Sequence, residues 1–171
     1  MNNVTTKPRT LTLGKITVQS AAQLMTLTAY GDNTNGEKAG MPFRSLNFKT
    51  ECESFEDFAK CIDIIDSYNE FDAAEISPVL RQYLNLKKHF REGNPNNGND
   101  FFKFEIAREG SPAFYISFLP EWDKLVYRNG VPTPYTLEQF KADMEALCSY
   151  IKADEMDITE EYQVTARFWF D

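Results

Sequence analysis

Long hydrophobic runs are missing from this sequence, and so are most of the residues that enzymes use for chemistry. A membrane-spanning helix needs about 20 consecutive apolar residues, and no apolar stretch of this sequence approaches that length. There is one histidine, His89, and the three cysteines Cys52, Cys61 and Cys148 are irregularly spaced. Such scattered ligands do not make a zinc site or a disulfide framework. We therefore expect a cytoplasmic protein with reduced thiols and no bound cofactor.

Sequence motifs for nucleotide binding and catalysis are also missing. The chain contains neither G-x-x-x-x-G-K-[ST] nor G-x-G-x-x-G, the glycine patterns that cradle phosphates. His89 lies in the last turn of a predicted helix, where a histidine commonly complements the helix dipole, and no nearby serine or cysteine forms a catalytic pair with it. These absences favour a protein that is not an enzyme.

Aromatic residues are abundant, at 14% of the chain, and 14 of them are phenylalanine. Apolar content of 42% and charged content of 26% are ordinary for a globular protein. The 171 residues can bury one sizeable core, which we expect to be aromatic. We expect a flexible N-terminal arm at residues 1–9 and a single domain over residues 10–171.

Apolar periodicity predicts the fold class. Strand-like alternation covers residues 10–18, 43–49, 102–106, 114–118, 124–128 and 162–170, and helical spacing covers a short segment from residue 20 and residues 54–65, 77–90 and 136–151. Ser77 before Pro78 indicates a helix start, and Thr136 with Gln139 indicates a capping box. Strands grouped beside helices favour α+β: a mainly antiparallel sheet of about five to six strands with three to four helices packed on it.

The charge of the chain is concentrated in one segment, residues 51–75, here called the acidic segment. It holds nine acids and the single base Lys60, which accounts for the whole net charge of −8. The other 146 residues hold 17 acids and 17 bases. Residues 154–161 form a second acidic stretch. A local excess of this kind repels phosphate backbones and attracts basic partners.

The acidic segment is therefore the predicted partner-binding site. Helical carboxylates about 5–6 Å apart carry charge at a density comparable to that of duplex DNA, so this surface can resemble a row of phosphates. We expect an inhibitor or adaptor that contacts a basic protein, for example one that handles nucleic acid; an accessory protein of a phage or mobile element would have this character. The predicted contact residues are Glu51, Glu53, Glu56, Asp57, Asp63, Asp66 and Glu70. The competing interpretation is an acidic face that only confers solubility.

Two further functions fit parts of the sequence. A single-stranded nucleic-acid-binding protein could stack bases on Tyr115, Tyr127 and Trp169 and hold phosphates with the basic helix end at residues 81–91. A metal-dependent enzyme could bind Mg²⁺ between Asp63 and Asp66, since carboxylates at this helical spacing can share a hard cation.

Overall fold

The computed structural model confirms an α+β fold with a mainly antiparallel sheet. It describes residues 10–13, 31–32, 38–39, 47–52, 55–63, 65, 71–86, 102–109, 111–118, 126–128, 131–133 and 135–170. The predicted N-terminal arm and the predicted short helix from residue 20 lie outside these residues.

The central sheet has six strands in the order β1-β4-β5-β6-β10-β9. Their bounds are β1 Thr10–Leu13, β4 Asn47–Glu51, β5 Phe102–Arg108, β6 Pro112–Phe118, β9 Glu155–Glu160 and β10 Val164–Trp169. Strands β1 and β4 are parallel, and every other neighbouring pair is antiparallel. Two small pairs accompany the sheet: β2 Gly31–Asp32 with β3 Lys38–Ala39, and β7 Val126–Arg128 with β8 Val131–Thr133.

Three helices are present in the described part of the chain: α1 Phe55–Asp63, α2 Ala73–Leu86 and α3 Leu137–Ile151. Helix α1 lies on the sheet through Phe58, whose ring is 5.3 Å from that of Phe104. Helix α3 lies on the same sheet face, where Phe140 is 5.6 Å from Phe118. Helix α2 packs against both of these helices. None of the described helices combines the length and the apolar character needed to cross a bilayer.

The core forms where strand alternation directs aromatic side chains toward the helices. In β5, β6 and β10, Phe104 lies opposite Ile116, and Phe114 lies opposite Phe168. All four side chains are at most 4% exposed. Because side chains alternate across a strand, the residues between them point to the other sheet face, here called the open face. The open face is polar and carries Lys49, Glu51, Lys103, Glu105, Tyr115, Ser117, Glu155, Asp157, Thr159, Thr165, Arg167 and Trp169.

Several local predictions differ from the structure. Helix α2 begins at Ala73 and not at Ser77, because the Asp72 carboxylate accepts from the Ala74 amide at 2.9 Å and so caps an earlier start. Pro78 lies inside the helix, and Ser77 donates its hydroxyl hydrogen bond to Asp63. Of the predicted strand at residues 124–128, the described residues Val126–Arg128 pair with β8 apart from the central sheet, and the predicted loop at residues 31–42 contains the β2–β3 pair.

Candidate partner-binding surface

The predicted contact residues lie on more than one element. Glu51 ends β4, whereas Glu56, Asp57 and Asp63 lie on α1. Glu51 stands opposite Glu105 in the register, so it belongs to the open face, and α1 covers the other side of the sheet. Glu53, Asp66 and Glu70 lie outside the described residues. The acidic segment therefore contributes to both sides of the sheet.

Lysines neutralise the carboxylates at the β4 end of the open face. Lys103 reaches Glu51 at 3.5 Å and Glu105 at 3.4 Å, and Lys49 reaches Glu105 at 3.2 Å. The Glu105 side chain is only 5% exposed, so its charge needs both lysines nearby. Glu51 thus lies in a charge network that spans β4 and β5. The pairing register of the two strands brings these charges together, and their spacing in the sequence does not reveal it.

Helix α1 presents its acids on the side that faces away from the sheet. Its buried residues are Phe55, Phe58, Ala59, Cys61 and Ile62, and Glu56 is exposed. Asp57 lies 3.9 Å from Lys60, one helical turn later. Asp63 accepts from Arg81 and Ser77 of α2, so this carboxylate joins two helices. Because α1 is amphipathic, its acids also have a purely structural explanation in solvation of the outer face.

The largest charge imbalance extends beyond the acidic segment. Among the described side chains that are largely exposed, ten are acidic and two are basic. The acids are Glu56, Asp63, Glu75, Glu138, Glu145, Asp154, Glu155, Asp157, Glu160 and Glu161, and the bases are Lys60 and Lys152. Five of these acids come from residues 154–161. The folded surface that the structure describes is thus more one-sided in charge than the sequence composition suggests.

A groove links the acidic segment to this second acidic stretch. It has a volume of about 380 Å³ and lies between the start of α2 and the end of α3. Asp72 and Glu75 line one wall, while Lys152 and Asp154 line the other. Lys152 adopts the left-handed conformation with φ 54°, which ends α3 and turns the chain into β9. The fold therefore makes Asp72 and Glu75 neighbours of Asp154 on one surface.

The outer side of α3 adds to the acidic surface. Glu138, Lys141 and Glu145 recur at helical spacing, and Lys141 forms an ion pair with Glu160 of β9. Lys141 is thus positioned between acids of α3 and β9. Sequence reasoning did not assign residues 155–160 to a strand, because their charges obscure the alternation of Met156 and Ile158 with polar residues.

Arg167 organises the acids on the open face of β9 and β10. Its guanidinium lies 2.6 Å from Glu109, 3.3 Å from Asp157 and 3.6 Å from Glu155. Burial lowers the pKa of Arg167, but the hydrogen bond to Glu109 and the negative charges of Glu109 and Asp157 nearby together outweigh this, so the pKa lies above the ordinary value. The arginine therefore stays charged and holds these carboxylates in place.

The aromatic residues proposed for base stacking have other contacts. Lys49 lies 3.7 Å from the centre of the Tyr115 ring, and the Tyr115 hydroxyl donates to Glu109. Burial, and then the bond to Glu109, raise the pKa of Tyr115. The Trp169 indole donates to the Glu109 carbonyl at 3.2 Å. Both rings are thus fixed within the open-face network, while the side chain of Tyr127 and residues 87–91 lie outside the described residues.

The proposed magnesium pair is described only in part. Asp63 contacts Arg81 and Ser77, and Asp66 lies outside the described residues. Across the described ranges, no group of three or more His, Cys, Asp and Glu side chains is arranged to hold a metal ion. The geometry of Asp63 matches that of a structural carboxylate bridging two helices.

Two buried thiols form a contact that the sequence did not reveal. Cys52 follows β4 and Cys61 lies on the buried side of α1, and both are free thiols. A hydrogen bond with Cys61, together with burial, raises the pKa of Cys52. The pair holds the end of β4 against α1.

Comparison of the chain with protein-family models, with curated proteins and with solved structures found no significant match. The functional argument therefore depends on the geometry and charge of the described residues alone.

Proposed function

We propose that this protein is a non-enzymatic acidic binding protein, an inhibitor or adaptor that contacts a basic protein through the acidic segment. A nucleic-acid-handling protein is the partner class we favour, because its Lys- and Arg-rich surface is complementary to dense negative charge. The supporting observation is the ten-to-two excess of acids among the largely exposed charged side chains. Within this excess, Glu56 and Glu75 are acidic-segment carboxylates that a basic partner would contact.

The carboxylates of the acidic segment differ in their contacts and in their exposure. Asp63 and Glu51 already contact Arg81 and Lys103. Glu56 and Glu75 are exposed on the outer sides of α1 and α2, and Glu75 also lines the groove with Asp154. Because both side chains are largely exposed, we expect Glu56 and Glu75 to contribute to association.

Association of this kind should be rapid and sensitive to salt. Complementary potentials steer diffusional encounter, and this effect weakens as the Debye length falls to about 8 Å at physiological ionic strength. Mutating an exposed charge chiefly changes the association rate and its salt dependence. A partner-binding role thus predicts a kinetic property that a merely solubilising surface lacks.

The test is capture of basic proteins from the native host, followed by elution in rising salt and identification by mass spectrometry. We expect the double variant Glu56→Lys/Glu75→Lys to lose specific capture. The matched control is Glu138→Lys/Glu145→Lys, which makes the same change in net charge on α3. Equal capture by wild type and by the Glu56/Glu75 variant, or retention of the protein on single-stranded DNA at physiological salt, would contradict the proposal.

A further inference from the structure

The geometry points to the outer edge of β9 as a docking site, and we propose that an extended basic segment of the partner adds there as a further strand. The inference rests on the proposed function, since it describes how a basic partner binds. Strand β9 ends the six-stranded sheet, and in the described part of the chain it pairs only with β10. Its six residues are largely exposed except Met156 and Ile158, which are partly buried.

Two hydrogen bonds determine which backbone groups of β9 face outward. The Phe170 amide donates to the Pro112 carbonyl at 3.2 Å, which places Phe170 in a hydrogen-bonded pair with β6. Because backbone groups alternate in direction along a strand, residues 164, 166 and 168 also direct theirs to β6, and residues 165, 167 and 169 direct theirs to β9. In agreement, the Glu161 amide donates to the Gln163 carbonyl at 3.2 Å across the β9–β10 turn. The amides and carbonyls of Met156, Ile158 and Glu160 therefore point away from β10. They form the row of donors and acceptors that strand addition uses.

The side chains of β9 specify the chemistry of an added strand. Glu155 and Asp157 point to the open face, whereas Met156 and Ile158 point to the helix side and pack against the core. A neighbouring strand places its own residues beside each of these in alternation. The strand that fits alternates basic residues, beside Glu155 and Asp157, with apolar residues, beside Met156 and Ile158.

The charge of the edge selects a basic partner over a second copy of this chain. Residues 154–161 carry five acids and no base; Arg167 contacts Glu155 and Asp157, and Lys141 contacts Glu160. Two such edges placed together would set like charges opposite each other, which is destabilising. An exposed acidic edge thus resists pairing with itself and remains complementary to lysine and arginine.

The experiment uses the full chain and a blocked peptide of alternating lysine and valine, with a peptide of the same composition in two blocks as control. Binding is measured by calorimetry, and amide hydrogen exchange locates it. We expect the alternating peptide to bind more tightly and to slow exchange at Met156, Ile158 and Glu160. Equal binding of both peptides, or no slowing at these amides, would overturn the inference.

A matched pair of variants separates the backbone from the side chain. Ile158→Pro removes the outward amide without removing a β9–β10 hydrogen bond, and Ile158→Ala removes a similar side-chain contact but keeps the amide. We expect the proline variant to bind the alternating peptide about tenfold more weakly than the alanine variant, as loss of a strand hydrogen bond implies. Equal affinity of the two variants would exclude strand addition at this position.

Failure of this inference can be distinguished from failure of the proposed function. If Ile158→Pro still captures basic host proteins as wild type does, the proposed function stands, and the outer edge of β9 is not the contact. If Glu56→Lys/Glu75→Lys keeps full capture while Ile158→Pro loses it, the edge binds and the acidic segment does not.

Discussion

Asp143 is the most completely enclosed carboxylate of α3, and two tyrosines converge on it. The Tyr135 hydroxyl donates to its carboxylate at 2.7 Å, and the Tyr83 hydroxyl donates to its backbone carbonyl at 2.7 Å. All three side chains are at most 9% exposed. A buried carboxylate is tolerated when hydrogen bonds replace its water, so this cluster ties α2 to α3 at the cost of fixed polar geometry.

The tyrosines of this cluster predict a loss of stability at alkaline pH. Burial, followed by the hydrogen bond to Asp143, raises the pKa of Tyr135 above its ordinary value near 10. Below that value both states keep the proton, and above it the unfolded chain releases a proton that the folded protein retains. The free energy of unfolding therefore falls as pH rises past about 10.

The variant Tyr135→Phe isolates this contribution, because it removes the titrating proton and keeps the ring. We expect its alkaline decline in unfolding free energy to be shallower than that of wild type, by up to about 1.4 kcal/mol per pH unit. Urea titrations at successive pH values measure both slopes. Coincident slopes would show that Tyr135 does not couple folding to this proton.

Among the elements, helix α3 is the one whose start is most fully specified by nearby residues in the sequence. The Thr136 hydroxyl accepts from the Gln139 amide at 3.2 Å, and the Gln139 side chain accepts from the Thr136 amide at 2.9 Å. This reciprocal box was predicted from the spacing of two residues, and it is confirmed. Local hydrogen bonds of this kind are readable from sequence because both partners lie within one turn.

We expect Thr136→Ala to lower the unfolding free energy by about 0.5–2 kcal/mol, since the Gln139 amide loses the hydroxyl that caps it. Ser149→Ala is the matched control, as Ser149 lies on the exposed side of the same helix and donates its hydroxyl to the Glu145 carbonyl at 3.2 Å. This control should change stability by less than about 0.5 kcal/mol. Equal losses in denaturant titrations of the two variants would argue against the capping contribution.

Predicted element boundaries were wrong where a residue outside the predicted helix capped it. A strand was missed where charged residues obscured the apolar alternation. Asp72 caps α2 ahead of Ser77, and the Ser77 hydroxyl turns instead to Asp63 on another helix. The sequence does not predict β9, because Glu155, Asp157 and Glu160 resemble a solvated turn. By contrast, the apolar alternation of 162–170 predicted β10, which the sheet confirms. Periodicity reveals elements that are half-buried and misses those that stay exposed.

At the scale of the whole molecule, the sheet and its helices followed from periodicity, whereas the ionic contacts did not. Arg81 with Asp63, and Lys103 with Glu51, join residues far apart in the chain. Their pairing depends on topology, so the sequence could not show which acids form ion pairs within the protein. Binding by the acidic segment remains a prediction, and the neighbourhood of Glu75 and Asp154 is what the fold adds to it.

The one-sided surface charge predicts how salt affects the folded state. The described surface has ten exposed acids and two exposed bases. The excess acids repel one another, and this repulsion destabilises the compact folded state. We expect the unfolding free energy to rise as ionic strength increases from about 0.01 M to 0.15 M, where the Debye length falls from about 30 Å to 8 Å. Thermal melts over this range measure the effect, and Glu145→Gln should reduce it. A flat or falling melting temperature would mean that the ion pairs outweigh the repulsion.

The position of β10 between β6 and β9 has a consequence for synthesis on the ribosome. Strand β6 is translated well before β10, so Phe114, Ile116 and Phe118 emerge on a strand whose neighbour does not yet exist. A nascent chain paused before Val164 therefore carries an apolar sheet edge of the kind that recruits chaperones or aggregates. Codon usage and elongation speed across residues 119–163 would set how long that vulnerable interval lasts.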